Sequence, residues 1–333
     1  MHIFITGVAG FLGSNLADYY INKGFQVSGN DTLIGGDLKN VNSKVKFYET
    51  ECEDFENNKK IFKGADIVIH AAAYAHEGLS NFAPNLITRN IFSGSVSVFT
   101  AAIESKVKRI VFLSSMARYG KNDKLFKEGD IPNPVDPYGI AKLAAEKILI
   151  NLAKTHNIEY NIAIPHNIIG KNQRYTDPYR NVAAIMINMI LQNRRPVIYG
   201  DGEQKRCFSD VRDCIYCIDR LARDKNINSE LVNIGPDENY ITINELYQVI
   251  SNKLKFNLEP QYFEDRPNEV KLANCDANKA RELLQYNTKY NISDSIDDMI
   301  LDIKNKGAKN FVYNYDIEIN SENIPSTWKD KHF

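Results

Sequence analysis

The residues best suited to chemistry lie mid-chain: Ser114-Ser115, then Tyr138 and Lys142 at the ends of the pentapeptide Tyr-Gly-Ile-Ala-Lys. Four residues is about one helical turn, so Tyr138 and Lys142 share a face if the segment is helical. A free phenol has a pKa of about 10 and is a poor base at neutral pH; lowering it by about three units means favouring the phenolate by about 4 kcal/mol. A neighbouring ammonium and a positively charged nicotinamide ring are natural sources of that field. Ser115 suits a hydrogen bond to a reacting alcohol oxygen whose proton it shares. Taken alone, a tyrosine and a lysine at this spacing also suit an exposed helix face, and a serine at a strand end also suits a turn cap.

A second signal sits at the N-terminus. His2 to Thr6 reads as a short apolar strand running into Gly7-Val8-Ala9-Gly10-Phe11-Leu12-Gly13, and Leu16, Tyr19 and Tyr20 then follow at roughly helical spacing from Ser14 to Lys23. A strand, a glycine turn and a helix in that order bring bare backbone N–H groups and the positive end of a helix dipole to one point, where a pyrophosphate can sit. Side chains at Gly7, Gly10 or Gly13 would obstruct the tight turn, the ligand's approach or the packing of helix on strand. The next strand starts near Phe25 and ends at Asp31, eighteen residues after Gly13. A carboxylate there accepts hydrogen bonds from the adenosine ribose hydroxyls and repels a 2′-phosphate, which favours NAD over NADP.

These groups need a scaffold, and strands alternate with helices through the first half as a parallel sheet covered on both faces requires. Further strands are expected at Val45 to Tyr48, Ile67 to His70, Arg109 to Leu113 and Glu159 to Ile164, with long helices over Pro84 to Ser105 and Tyr138 to His156. The expected fold is α/β: a Rossmann doubly wound parallel sheet with a smaller C-terminal α/β substrate lobe. Residues 1–170 form the dinucleotide domain, to which about 205–236 return through the strand Leu231-Val-Asn-Ile-Gly; residues 171–204 and 237–333 form the lobe and tail. Lys171 to Asn181 reads as a polar loop over the substrate, Val182 to Gln192 as a helix, and the tail from Asn310 has no functional reading.

Composition narrows the partners. The charge balance is 41 basic against 42 acidic residues, a net of −1, so no basic field calls for nucleic acid or an anionic membrane. The chain opens directly into a strand without a charged leader, and no apolar run of about 18 residues is evident. A cytosolic protein is expected. Five cysteines, an odd number, suit a reducing compartment. Cys214-Ile-Tyr-Cys217 has redox or zinc spacing, yet it falls in the amphipathic segment Val211 to Ala222 and no second pair completes a tetrahedral site, so packing is its expected role and no metal is expected. Among six histidines, only His76 and His166 fall near the expected site.

Together these residues resemble the extended short-chain dehydrogenase/reductases, in particular the NAD-dependent nucleotide-sugar epimerases and dehydratases of the UDP-glucose 4-epimerase kind. The resemblance runs from about Met1 to Tyr286 and adds, in order, Asp66-Ile-Val-Ile-His-Ala-Ala-Ala73, Asn90, Tyr119-Gly120, Pro165-His-Asn167-Ile-Ile-Gly170, Tyr199-Gly-Asp-Gly202 with Arg206, Asp213 and Arg266-Pro267. It implies Ser115, Tyr138 and Lys142 as catalytic residues. The implied cofactor set is Gly7, Gly10, Phe11, Leu12, Gly13, Asp31, Glu51, Cys52, Ala71, Ala72, Ala73, Asn90, Ser114, Tyr138, Lys142 and Pro165, with Glu51 and Cys52 against adenine. On the substrate side it implies Ser115, Asn167 facing the sugar nucleotide, Asn181 and Val182 at the diphosphate or base, Tyr199 against uracil, and Arg206 and Arg266 on the diphosphate. Arginine suits that work because its planar fork meets phosphate oxygens in pairs. Ala273, where the family sets room for the C2 substituent, implies that N-acetylhexosamines fit, and a homodimer through the two long helices is implied as well.

Three departures from the family pattern stand out: Ile164 in place of an arginine, Cys207 and Asp210 in place of an acid and an aromatic, and Met116-Ala117-Arg118 where the family's 4,6-dehydratases carry an Asp-Glu pair. Without that acid and base, loss of water across C5 and C6 is disfavoured, and C4 epimerisation through a 4-keto sugar becomes the expected reaction. A dehydratase, reductase or decarboxylase of the same family, or a dinucleotide sensor without chemistry, are the alternatives.

Overall fold

The computed structural model describes residues 1–121, 125–267, 271–273 and 275–333. Seven strands form the central sheet: His2–Thr6 (β1), Gln26–Asp31 (β2), Lys46–Glu49 (β3), Ile67–His70 (β4), Arg109–Leu113 (β5), Glu159–Pro165 (β6) and Glu230–Ile234 (β7). Their order is β7-β6-β5-β4-β1-β2-β3, every pairing parallel. The order reverses between β1 and β4, which opens a crevice at the carboxyl ends of the strands.

The strands are apolar on both sides because both sides are covered. Successive side chains point to opposite faces, so Ile3 and Ile5 pack with Leu16, Tyr20, Ile218 and Leu221 on one face. Phe4 packs with Phe62, Val98, Phe99 and Leu149 on the other. The first face is covered by Phe11–Asn22 (α1) and, from later in the chain, Val211–Arg223. The second is covered by Phe55–Ile61 (α2), Pro84–Glu104 (α3) and Pro137–His156 (α4). Helix α3 contains one π-helical turn, Arg89–Ser93. By length and composition α3 is apolar enough to cross a membrane, contrary to the expectation that no such run exists; in the fold it packs against α2 and α4.

Beyond β6 the chain builds a second core from Val182–Leu191 (α5), Ile243–Leu254 and Ile292–Lys306, which join through Ile187, Leu246, Ile250, Met299 and Ile303. Four short ladders fix the edge of this lobe on the crevice. Lys205–Arg206 pairs with Ile241–Thr242 and with Leu272–Ala273, Val197–Tyr199 with Gln261–Phe263, and Ser209–Asp210 with Ile168–Ile169. The residues after Gly307 hold one short helix, Ser326–Lys329, and lie along the mouth of the crevice.

Candidate active site

A cleft of about 760 Å³ follows the crevice and is lined at its dinucleotide end by Gly7, Gly10 to Gly13 and Asp31. Gly7 has φ +71°, and a Cβ there would sit 2.8 Å from the Ala72 Cα; a Cβ on Gly13 would sit 2.0 Å from the Gly7 carbonyl oxygen. Only glycine therefore allows the turn and lets α1 begin against β1. Gly10 is the N-cap of α1, which has neither a capping side chain nor an acidic residue in its first turn, so its positive end is open to an anion. Asp31 accepts hydrogen bonds from the amides of Ala9 (3.1 Å) and Leu33 (2.8 Å) while lining the cleft. Burial pushes its carboxyl up, against the pull of those amides. A bare turn that any Cβ would fill, an uncapped helix start and a carboxylate fixed beside them fit a dinucleotide.

Asp136 caps α4 by accepting from the Gly139 amide at 2.8 Å, with Pro137 in the first turn, and so starts the helix where Tyr138 and Lys142 both turn into the cleft. Tyr138 is 7 % exposed, Lys142 3 %. Lys142 Nζ donates to the Leu113 carbonyl at 2.7 Å and lies 4.9 Å from the Phe112 ring centre. Loss of water around the ammonium pulls it down to about 7, with Glu146 opposing.

Burial likewise pushes the Tyr138 phenol up to about 12, and its strongest opposing influence is the hydrogen bond with Ser115. The Lys142 ammonium is held by a strand-end carbonyl, and desolvation is the largest influence on Tyr138. Ser115 also accepts from the Ala117 amide at 3.2 Å.

The lysine gives a pH prediction. Its folded pKa is depressed, so between about 7 and its ordinary value the unfolded chain binds a proton that the folded chain does not, and stability rises with pH. Intact protein stripped of coenzyme is expected to gain about 2 kcal/mol relative to Lys142→Met between about pH 7 and about pH 8.5. Urea titrations of both proteins check it; parallel pH profiles would sink it.

A buried polar network underlies these residues. Ser114 Oγ bonds Glu146 Oε1, and Glu146 Oε2 accepts from Arg118 Nε at 3.0 Å. Thr6 Oγ1 bonds His70 Nδ1 at 2.7 Å, and His70 Nε2 bonds Ser95 Oγ at 3.0 Å. Burial, then the charge of Lys142, pulls His70 down to about 3, so it is neutral. Asn90 lies in the π turn of α3 and its Oδ1 accepts from the Tyr74 amide at 2.8 Å, which fixes the Ala71 to Ala73 wall.

The substrate end is lined by Asn167, Asn181, Val182, Tyr199, Arg206 and Arg266. Asn167 has φ +38° and its Nδ2 donates to the Cys207 carbonyl at 3.2 Å. Asn181 lines the cleft, but its Oδ1 is committed to capping α5 through the Ala183 amide. The Arg266 guanidinium stands 5.0 Å from the Tyr199 ring centre. Two of the family departures are absorbed by local contacts. Ile164 is in the core, Cys207 Sγ meets the Glu238 carbonyl at 2.7 Å, and Asp210 caps Val211–Arg223 while pairing with Arg212 at 2.8 Å. Cys214 and Cys217 are buried in that same helix.

Every expected site residue but one lines this single cleft, Glu51, Cys52 and Pro165 included. The exception is Ala273: its backbone pairs beside Arg206, and its side chain lies outside the described residues. Several groups escape the sequence reading. Glu146 stands one turn beyond Lys142, a spacing that could have found it. Asp177 is another; its Oδ2 meets Nε2 of His76, which the sequence did place near the site, at 2.9 Å, both almost fully buried. Burial drives the His76 imidazole down against the pull of the Asp177 carboxylate, and its Nδ1 is buried without a partner among the described residues. Tyr315 and Phe333 from the tail line the cleft too; no sequence periodicity marks them.

The profile of the NAD dependent epimerase/dehydratase family matches residues 3–235. The chain belongs to that family. NAD is its coenzyme. A Methanocaldococcus jannaschii protein provisionally named a UDP-glucose 4-epimerase is 32% identical over 288 residues, covering 84% of this chain and 92% of its own. Among solved structures, the UDP-glucose 4-epimerase of Thermotoga maritima with UDP-glucose superposes with a TM-score of 0.86 at 30% identity, over 92% of this chain and 99% of its own. A UDP-N-acetylglucosamine 4-epimerase from Methanobrevibacter ruminantium, in complex with UDP-N-acetylmuramic acid, gives 0.86 at 27% identity over the same shares.

Proposed function

We propose that the protein is a nucleotide-sugar 4-epimerase, an isomerase acting on a UDP-hexose or UDP-N-acetylhexosamine. The observation that carries this reading is that Ser115, Tyr138 and Lys142 line one cleft together, with a dinucleotide turn at one end and Arg206 and Arg266 at the other. Tyr138 takes the proton of the sugar's C4 hydroxyl. Ser115 holds that oxygen and shares the proton, and Lys142 supplies positive charge behind the phenol. When bound, NAD supplies the reversible hydride acceptor for C4.

In this reading residues 1–170, with about 205–236 returning, hold NAD, through Gly7, Gly10, Gly13, Asp31 and the walls at Cys52, Ala71 to Ala73 and Asn90. Residues 171–204 and 237–333 hold the nucleotide sugar. Asn167 faces the sugar, Tyr199 the uracil, and the two arginines the diphosphate. The names of the relatives support the UDP carrier. A homodimer through α3 and α4 is supported by the apolar Phe92, Ile140 and Ile150, which those helices leave exposed.

Against a 4,6-dehydratase, Met116–Tyr119 forms a tight turn that sends Arg118 inward to Glu146 and places no acid beside Ser115. One observation favours the dehydratase: Glu77 lines the cleft near enough for its charge to raise Tyr138. Incubation of the purified protein with UDP-glucose or UDP-N-acetylglucosamine, without added nicotinamide, is expected to yield the C4 epimers by NMR. A 4-keto-6-deoxy sugar, or release of one NADH per sugar, would reject epimerisation.

A further inference from the structure

We infer that residues 310–333 are a strap that retains the bound dinucleotide, with Tyr315 as its contact over the coenzyme and Glu318 as its anchor. The segment is almost without regular structure, yet Tyr315 and Trp328 are only 4 % and 3 % exposed, in the same apolar cluster as Tyr138. Such burial in an irregular segment at a cleft mouth means that the chain is held there by specific contacts.

The strap begins on the coenzyme side. Asn314 Nδ2 donates to the Ile34 carbonyl at 3.1 Å. The Tyr315 hydroxyl lies 3.3 Å from where a Cβ on Gly35 would sit, so it covers the loop that follows Asp31. Its ring is 4.4 Å from His76 and 5.2 Å from Tyr74, centre to centre. The strap then fastens to the start of α3. The Glu318 and Ile319 amides donate to the Phe82 carbonyl at 2.8 and 2.9 Å, and the Glu318 carboxylate accepts from the Asn85 and Leu86 amides at 2.8 and 2.9 Å. A carboxylate on the free N–H groups of a first helical turn is a favourable electrostatic contact.

The far end grips the substrate lobe. Thr327 Oγ1 and the Tyr199 hydroxyl are 2.5 Å apart, and His332 Nε2 meets Gln261 Oε1 at 2.9 Å. One segment therefore ties both banks together across the cleft. A dinucleotide leaving the cleft must first free the strap, so each contact that closes it lowers the dissociation rate. The inference rests on NAD binding alone and stands whether or not the sugar is epimerised.

The test is a chase. Full-length protein loaded with adenine-labelled NAD is mixed with excess unlabelled NAD, and retained label is followed by rapid filtration. Glu318→Ala, an exposed position, and Tyr315→Ala are expected to release label about tenfold faster than the intact protein, the effect of losing about one helix cap. Glu318→Gln keeps one accepting oxygen and is expected to fall between. Far-ultraviolet circular dichroism shows that each variant is folded. Equal release from folded intact protein, Glu318→Ala and Tyr315→Ala overturns the strap, as does faster exchange of a UDP-sugar with NAD release unchanged.

Discussion

Replacing Tyr138 with phenylalanine is expected to lower kcat about a thousandfold, the scale of one general acid–base group, while KM and bound NAD hardly change. The ring packs among Leu79, Phe82, Ile87 and Ala141, and phenylalanine keeps those contacts. What is lost is the phenolic oxygen and the influence of Ser115 on it. Steady-state kinetics with a UDP-sugar, together with the coenzyme content of the purified variant, measure the two halves separately. A variant within about fivefold of normal kcat would remove Tyr138 from the chemistry.

Gly13→Ala is expected to cost about 3 kcal/mol of stability and to yield protein without NAD. The added methyl would meet only backbone: Gly7 O at 2.0 Å, Gly7 C at 2.7 Å and Val8 Cα at 2.9 Å. No side chain can rotate away, so α1 must lift from β1 and the phosphate turn must open. Gly24→Ala is the control. That glycine has φ +80° but nothing within 4 Å of a Cβ, so only backbone strain of about 1 kcal/mol applies. Urea denaturation compares the pair, and equal losses would show that close packing at Gly13 is not the constraint.

The sequence is most legible where one physical requirement acts alone. Strands β4 and β5 fall where their apolar runs place them, because a strand covered on both faces can hardly be polar. The start of α1 is less legible. Gly10 is its N-cap, so the helix takes in Phe11 to Gly13, residues that read as loop because glycine is a poor helix former. The seven-residue α2, carrying Asn57, Asn58, Lys59 and Lys60, is short and polar and lies along the sheet without periodicity to reveal it.

In the site, the residue types were readable and their electrostatics were not. The one-turn spacing puts Tyr138 and Lys142 on one face, but it does not show that the ammonium is held by the Leu113 carbonyl, twenty-nine positions away in sequence. The Ser114–Glu146–Arg118 network and the His76–Asp177 pair likewise depend on contacts across 28 to 101 positions that no local pattern encodes. The tail is aromatic but aperiodic, so its placement over the cleft is a tertiary outcome.

The wide turn at Arg89–Ser93 has a consequence for how one rod meets two environments. A π-helical turn absorbs an extra residue and so shifts the phase of the inward stripe by about 100°. Before it, α3 turns Leu86 and Ile87 toward Tyr138 and Tyr315, with Ile91 in the turn itself joining them; after it, Val98, Phe99 and Ala102 turn toward the sheet. A uniformly wound helix presents a single stripe, and here the change of phase lets the same helix wall the cleft with one half and buttress the β-layer with the other.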